Sequence, residues 1–410
     1  MANTLGRQAS FWVAAAVVAH TLWTSAAPAM TYPLYGTEWH LTPAVTTGIF
    51  AIYPLAVVTV LVLFGDISDY IGRRKAMLLG LAASLSGVLL FAVAPSVYWV
   101  FLGRFFMGIG VGLSAAPSAA AVLEFSTPER SARAGAVTTA AQSLGLASAM
   151  LVGGGLIEYA PFPTRLNFWV LSVVLAALFG AAWFLPRHTS GDASGPWRLK
   201  LPKVPTGLLK IFVTSAMAVT TGYVLGALVM SLGAQIAHDL IGSGNTLVNG
   251  AAMALFAVTS GLIAILLKRL PPASAMILGG SITAMGLALL VLSTYQRSLP
   301  IFLAALTAAG AGYSLIFLGG LNLINANAPI HHRGGTLSAI FFIAYLMQGV
   351  IAMLLGAAAT AWGLKVAIDF GSSFIALLSF ASIALALSSR SSPELTIKIC
   401  PLPSSGQQVD

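Results

Sequence analysis

The 410-residue sequence predicts an all-α membrane protein with twelve transmembrane helices in two six-helix bundles, and three observations predict it. Hydrophobic side chains make up 58% of the chain and charged ones 8%, against about 25% charged in soluble domains, so water would not dissolve it. Apolar runs such as Phe11 to Pro33, Gly48 to Phe64 and Ala76 to Ala94 approach the roughly 20 residues a helix needs to cross hydrocarbon. Midway, Pro186 to Lys210 is the longest polar connection, rich in Gly, Pro and Ser with five basic residues.

Taken in order, the runs place helices near 11–34, 44–64, 76–95, 97–124, 134–158, 166–185, 209–235, 246–267, 274–293, 299–326, 335–361 and 365–388. The first follows a short start containing Arg7 and no convincing A-x-A cleavage site, so it reads as a helix and not a signal peptide. An even number of spans puts both termini on one side. With the termini inside, Arg73, Arg74, Lys75, the bases of the 186–208 connection and the tail all fall in the cytoplasm. Only Arg165, Arg297 and Lys365 fall outside. The expected organisation is an N-terminal bundle at 1–185, a cytoplasmic linker at 186–208, a C-terminal bundle at 209–390 and a cytoplasmic tail at 391–410. The halves echo one another at a distance of about 200 residues: Gly110 and Gly112 recur as Gly310 and Gly312, and Arg133 and Gly135 as Arg333 and Gly335. A parallel repeat of this kind belongs to carriers whose site lies between the halves at mid-membrane.

The formal charge of +9 does not indicate nucleic acid, because the bases are dispersed among inter-span loops instead of clustering on one polar face. The single cysteine, Cys400, has no partner for a disulfide. No Gly-x-x-x-x-Gly-Lys loop points to a nucleotide-driven pump. His331 and His332 are adjacent and would point apart on a helix, so no shared metal site, cofactor or catalytic cluster is expected. An integral-membrane enzyme and a nontransporting sensor are the rival classes, but neither a catalytic cluster nor a soluble sensory domain is present to support them.

No Asp or Glu falls deep within a predicted span. Glu38, Glu158, Asp239 and Asp369 lie near the outer edge and the remaining acids on the cytoplasmic side. A neutral, amphipathic or anionic substrate therefore fits better than a cation paired with a buried carboxylate. His20 lies near the middle of the first span, where it serves either proton transfer or a helix–helix hydrogen bond. Tyr53, Gln142, Tyr223, Asn322, Asn325, Tyr345 and Gln348 are candidate cavity residues, since polar groups avoid lipid. Tyr32, Tyr35 and Trp39 are expected in an interfacial aromatic belt. Arg104, inside the fourth span, either serves function or snorkels to the outer interface.

The connection between the second and third spans reads Gly65-Asp66-Ile67-Ser68-Asp69-Tyr70-Ile71-Gly72-Arg73-Arg74-Lys75. It resembles the signature loop of the major facilitator superfamily, with Tyr70 in place of a base. The fourth span's Arg104, Gly108, Gly110 and Gly112 resemble that family's second motif. Gly145 to Gly154 resembles its antiporter motif, with Ala149-Met150 where Gly-Pro is usual, and Pro128 to Arg133 resembles the loop after the fourth span. The resemblance implies the major facilitator fold and a gating loop of Gly65, Asp69, Gly72, Arg73 and Arg74, with Asp69 against a helix near Gly335 of the other half. Glu124 is expected to pair with Arg73 or Arg74. The resemblance links Arg104 to proton transfer or to holding substrate, and with the span residues His20, Tyr53, Gln142, Asn322, Asn325 and Tyr345 this arginine makes the expected pathway for substrate or protons. The expected activity is proton-coupled efflux of a small organic molecule, with uptake of a sugar or other metabolite as the alternative. The protein is expected to act as a monomer in the bacterial cytoplasmic membrane.

Overall fold

The computed structural model describes residues 4–65, 67–126, 131–186, 206–328 and 330–390, with backbone alone at 131–133, 206, 330–334 and 389–390. The chain forms α1 (Arg7–Ala26), α2 (Tyr32–Glu38), α3 (Pro43–Phe64), α4 (Ile67–Ile71), α5 (Arg73–Ala92), α6 (Val97–Phe125), α7 (Ser131–Tyr159) and α8 (Leu166–Trp183). Then follow α9 (Leu209–Gln235), α10 (Thr246–Leu266), α11 (Pro272–Gln296), α12 (Leu299–Asn327), α13 (Ile330–Trp362) and α14 (Leu364–Arg390). Among the described residues, twelve helices are long and apolar enough to cross a membrane, with α1 and α2 together making the first. Most of the expected linker at 186–208 and all of the tail at 391–410 lie outside the described residues.

The first span is not the single helix that its apolar run suggested. Pro28 has no N–H to donate, and the backbone tightens into a 3-10 turn over Ala27–Met30 before resuming as α2. Carbonyls near this break take side-chain donors: Arg104 Nη1 donates to Ser25 O at 2.7 Å and Asn167 Nδ2 to Ala27 O at 3.0 Å. Two long polar side chains therefore point into the bundle to satisfy backbone that lipid could not.

Within the first bundle α1 packs on α6, α7 and α8, while α5 packs on α6 and α8. Within the second, α11 packs on α12 and α14, and α9 on α12, α13 and α14. The bundles meet along α3 with α13 and α7 with α10, and α9 also touches α2. In a parallel repeat the second and eighth spans correspond, as do the fifth and eleventh, so the two seams exchange under the internal symmetry.

Close backbone approaches set the register of that repeat and correct the glycine pairing read from the sequence. A Cβ on Gly110 would meet Gly80 O and Ser84 of α5, and one on Gly312 would meet Thr283 of α11. A Cβ on Gly108 would meet Tyr53 O of α3, and one on Gly310 would meet Phe256 O of α10. Gly108 therefore corresponds to Gly310 and Gly110 to Gly312. In the same register Arg104 corresponds to Leu306.

Candidate functional site

Among the described residues of the 65–75 loop, Arg73 gathers several partners. Gly72 adopts φ 89°, a conformation open to glycine at little cost, and this turns the chain sharply from α4 into α5. The turn brings Arg73 to Asp69 at 2.6 Å, to Ser68 Oγ at 2.5 Å and, through Nε, to Glu124 Oε1 of α6 at 3.3 Å. Of the two partners expected for Glu124, the structure thus has Arg73, while Arg74 lies over the Trp183 ring at 5.6 Å from its centroid. The described partner of Asp69 is Arg73 of its own bundle, and the side chains at the start of the helix near Gly335, where the resemblance would place it, lie outside the described residues. Asp66 lies outside the described residues. Because the Arg73–Glu124 pair is partly exposed, Glu124→Gln should cost under about 1 kcal/mol. Its unfolding temperature is expected to stay nearly unchanged while the transport rate alters, and unaltered transport would remove Glu124 from the expected gating loop.

Deep in the first bundle, Arg104 is 0% exposed, so it does not snorkel. Its guanidinium lies 4.5 Å from the ring centroid of Tyr53 and 5.7 Å from that of Phe50. Tyr53 is on α3, which packs across the bundle interface on α13, the helix that carries Tyr345. On that far side Tyr223 packs edge-on to Tyr345, with centroids 4.7 Å apart, and Tyr313 stacks on Phe317 at 5.8 Å. Arg104, Tyr53, Tyr345 and Tyr223 thus form a polar-aromatic centre between the halves.

The other expected pathway residues are not gathered there by any described bond. Gln142, Asn322 and Asn325 are half-buried on α7 and α12. His20 is buried, and its described bond is from Nδ1 to Val17 O of its own helix, leaving Nε2 without a partner; it does not tie two helices together. The aromatic-belt expectation fails for Tyr32 and Tyr35, which are 3% and 1% exposed and face the bundle, with Tyr35 stacked on Trp39. The break at Ala27–Met30 turns this stretch inward, a change that hydropathy does not register. Sequence reasoning missed Asn167, whose role follows only from the position of the Ala27 carbonyl. It also missed Tyr313 and Phe317, for which an aromatic residue one helical turn after another was the available signal.

Contacts joining the halves are found among the described residues at the end of the spans remote from the 65–75 loop, reaching inward to mid-depth. Glu158 Oε2 accepts from Thr246 N–H at 2.7 Å, and Thr360 Oγ1 from Ala44 N–H at 2.9 Å. Backbone meets backbone where a Cβ on Gly250 would lie 2.4 Å from Met150 O. A cavity of about 330 Å³ remains at this end, walled by Tyr32, Thr46, Gln235, His238, Asp239 and Asn249 among others.

Twelve spans in two bundles that meet along two symmetry-related seams, with a polar-aromatic centre between them, define a membrane transporter fold. The sequence matches the profile of the Major Facilitator Superfamily over residues 12–352, and the chain belongs to that family. It is 28% identical over 184 residues to the multidrug resistance protein MdtH of Klebsiella pneumoniae (strain 342), covering 44% of each chain. The match therefore spans less than half of that relative's length. Over 300 residues it is 27% identical to the class D tetracycline resistance protein of Salmonella ordonez, covering 70% of this chain and 72% of that one. The crystal structure of a point mutant of the nucleoside transporter NupG superposes with a TM-score of 0.74 at 11% identity, covering 93% of this chain and 100% of that one.

Proposed function

We propose that this chain is a proton-coupled exporter of a small organic molecule, working as a monomer in a bacterial cytoplasmic membrane by alternating access. Bundles 1–185 and 209–390 rock about the 186–208 linker, and the loop at 65–75, the linker and both termini face the cytoplasm. The observation that carries this reading is the placement of the described contacts between halves at the end remote from the loop. That is the arrangement of a carrier sealed outside and oriented inward. Likeness to a multidrug resistance protein and to a tetracycline resistance protein supports efflux. The excess of Lys and Arg on the loop side supports the orientation. Family and fold favour a transporter over an enzyme.

The test is reconstitution of the full chain in liposomes, with orientation scored by a membrane-impermeant maleimide on Cys400, the only cysteine. An imposed pH gradient is expected to drive substrate-dependent proton flux for some members of a broad panel of drugs and metabolites. Proton movement in the direction of the substrate would replace efflux by uptake. An absence of flux across the whole panel would overturn the carrier reading.

A further inference from the structure

Arg104 is a buried charge whose neutralising partner is not part of this chain's described structure. It is 0% exposed and takes part in none of the ion pairs among the described residues. A guanidinium stays protonated in proteins, so the charge persists, and an unpaired buried charge costs several kcal/mol. The rings of Tyr53 and Phe50 lie within cation–π range of its carbon, which offsets only about 0.5–2 kcal/mol and occupies none of its N–H groups.

The pattern of hydrogen bonds is specific. Nη1 is used, donating to Ser25 O, whereas Nε and Nη2 are both buried without a partner. These two nitrogens form one edge of the guanidinium fork and point parallel N–H groups in one direction, the geometry that grips two oxygens of an oxyanion. The Tyr32 hydroxyl, seven residues along the first span from the Ser25 carbonyl that Arg104 reaches, is a third buried donor with no partner. Packing alone does not call for the charge, because the position corresponding to Arg104 in the second bundle is Leu306, itself 2% exposed.

Building on the exporter reading, we infer that the Nε–Nη2 edge of Arg104 and the Tyr32 hydroxyl form a binding site for an oxyanion, a carboxylate or phosphate. The oxyanion is either carried by the transported molecule or bound beside it. The edge is walled off from solvent in the present arrangement, so loading belongs to another state of the cycle. Binding is then weakened by the fraction of molecules that reach it.

Thermal unfolding of the purified full chain in detergent tests this without requiring transport. Acetate, inorganic phosphate and benzoate are titrated at constant ionic strength, with chloride and neutral benzamide as controls. The oxyanions are expected to raise the unfolding temperature in a saturable way that the controls do not reproduce. Arg104→Lys keeps the charge and a donor for Ser25 O but lacks the fork, and it should raise the half-saturating concentration about tenfold or more. Tyr32→Phe removes a hydroxyl with no partner to lose, and it carries the test with a severalfold weakening if Arg104→Lys fails to fold. Benzoate binding at least tenfold tighter than acetate would assign the oxyanion to the transported molecule, and equal binding would assign it to a free anion; both support the site. Equal responses to benzoate and benzamide, no response to any oxyanion, or wild-type responses in both variants would overturn it. Oxyanion binding without proton flux in liposomes would sink the exporter reading and leave this site standing. Flux without oxyanion binding would do the reverse.

Discussion

Gly145→Val is expected to leave little folded protein. A Cβ at residue 145 would lie 1.9 Å from Ala19 O and 2.8 Å from the Ala19 carbonyl carbon, both backbone atoms of α1. No side chain can swing away to relieve this, so α1 and α7 must separate along a stripe that Ala149 and Gly153 continue. Spans in lipid associate through close packing and not through burial of apolar surface, so the lost approach is not recovered elsewhere. The cost should reach about 3 kcal/mol or more, the upper end for overpacking. Size-exclusion of a fluorescent fusion in detergent should show aggregate in place of a monodisperse peak. Gly180→Ala, with nothing within 4 Å of its added Cβ, serves as the tolerated control. A monodisperse Gly145→Val protein with an unchanged unfolding temperature would mean that α1 and α7 do not approach as described.

Gly250→Val acts on state and not on fold. Its Cβ would lie 2.4 Å from Met150 O across the α7–α10 seam. In the alternating-access reading this seam opens in the other state, so the clash of about 1–3 kcal/mol burdens only the arrangement sealed at the remote end. The ratio of states should move roughly ten- to a hundredfold toward the arrangement open there. In a Cys400→Ser background, a cysteine replacing Thr246 should react correspondingly faster with a membrane-impermeant maleimide. An unchanged rate together with a lowered unfolding temperature would show that the seam is a static interface.

Much of the architecture was legible because lipid imposes strong rules on a chain. Charges are excluded from hydrocarbon, so the apolar runs located all the spans, most of them within a few residues of their observed ends. The 65–75 loop was legible because it departs from that rule. Gly72 at positive φ and the acids around Arg73 follow a local order that sequence displays directly. The break in the first span was hidden, since Ala26 to Met30 is as apolar as its surroundings and hydropathy cannot see the N–H that Pro28 lacks. The choice between a snorkelling and a buried Arg104 was also open. The residue sits several positions inside the start of α6, and only the approach of the Ser25 carbonyl on α1 draws it inward.

By itself, therefore, the sequence determined the class: a polytopic α-helical membrane protein, its number of spans and the family signature between the second and third. The tertiary structure alone decided which faces of those spans look inward. In a soluble helix an apolar stripe marks the core, but these helices are apolar toward lipid and toward one another, so no periodicity separates the two faces. That is why Tyr32 and Tyr35 read as interfacial yet are buried, and why the glycine repeat read as Gly110 with Gly310 when the backbone contacts pair Gly108 with Gly310. For the same reason Arg104 of α6 and the broken first span, whose Ser25 carbonyl it reaches, could be brought into one proposed site only once the helices were packed.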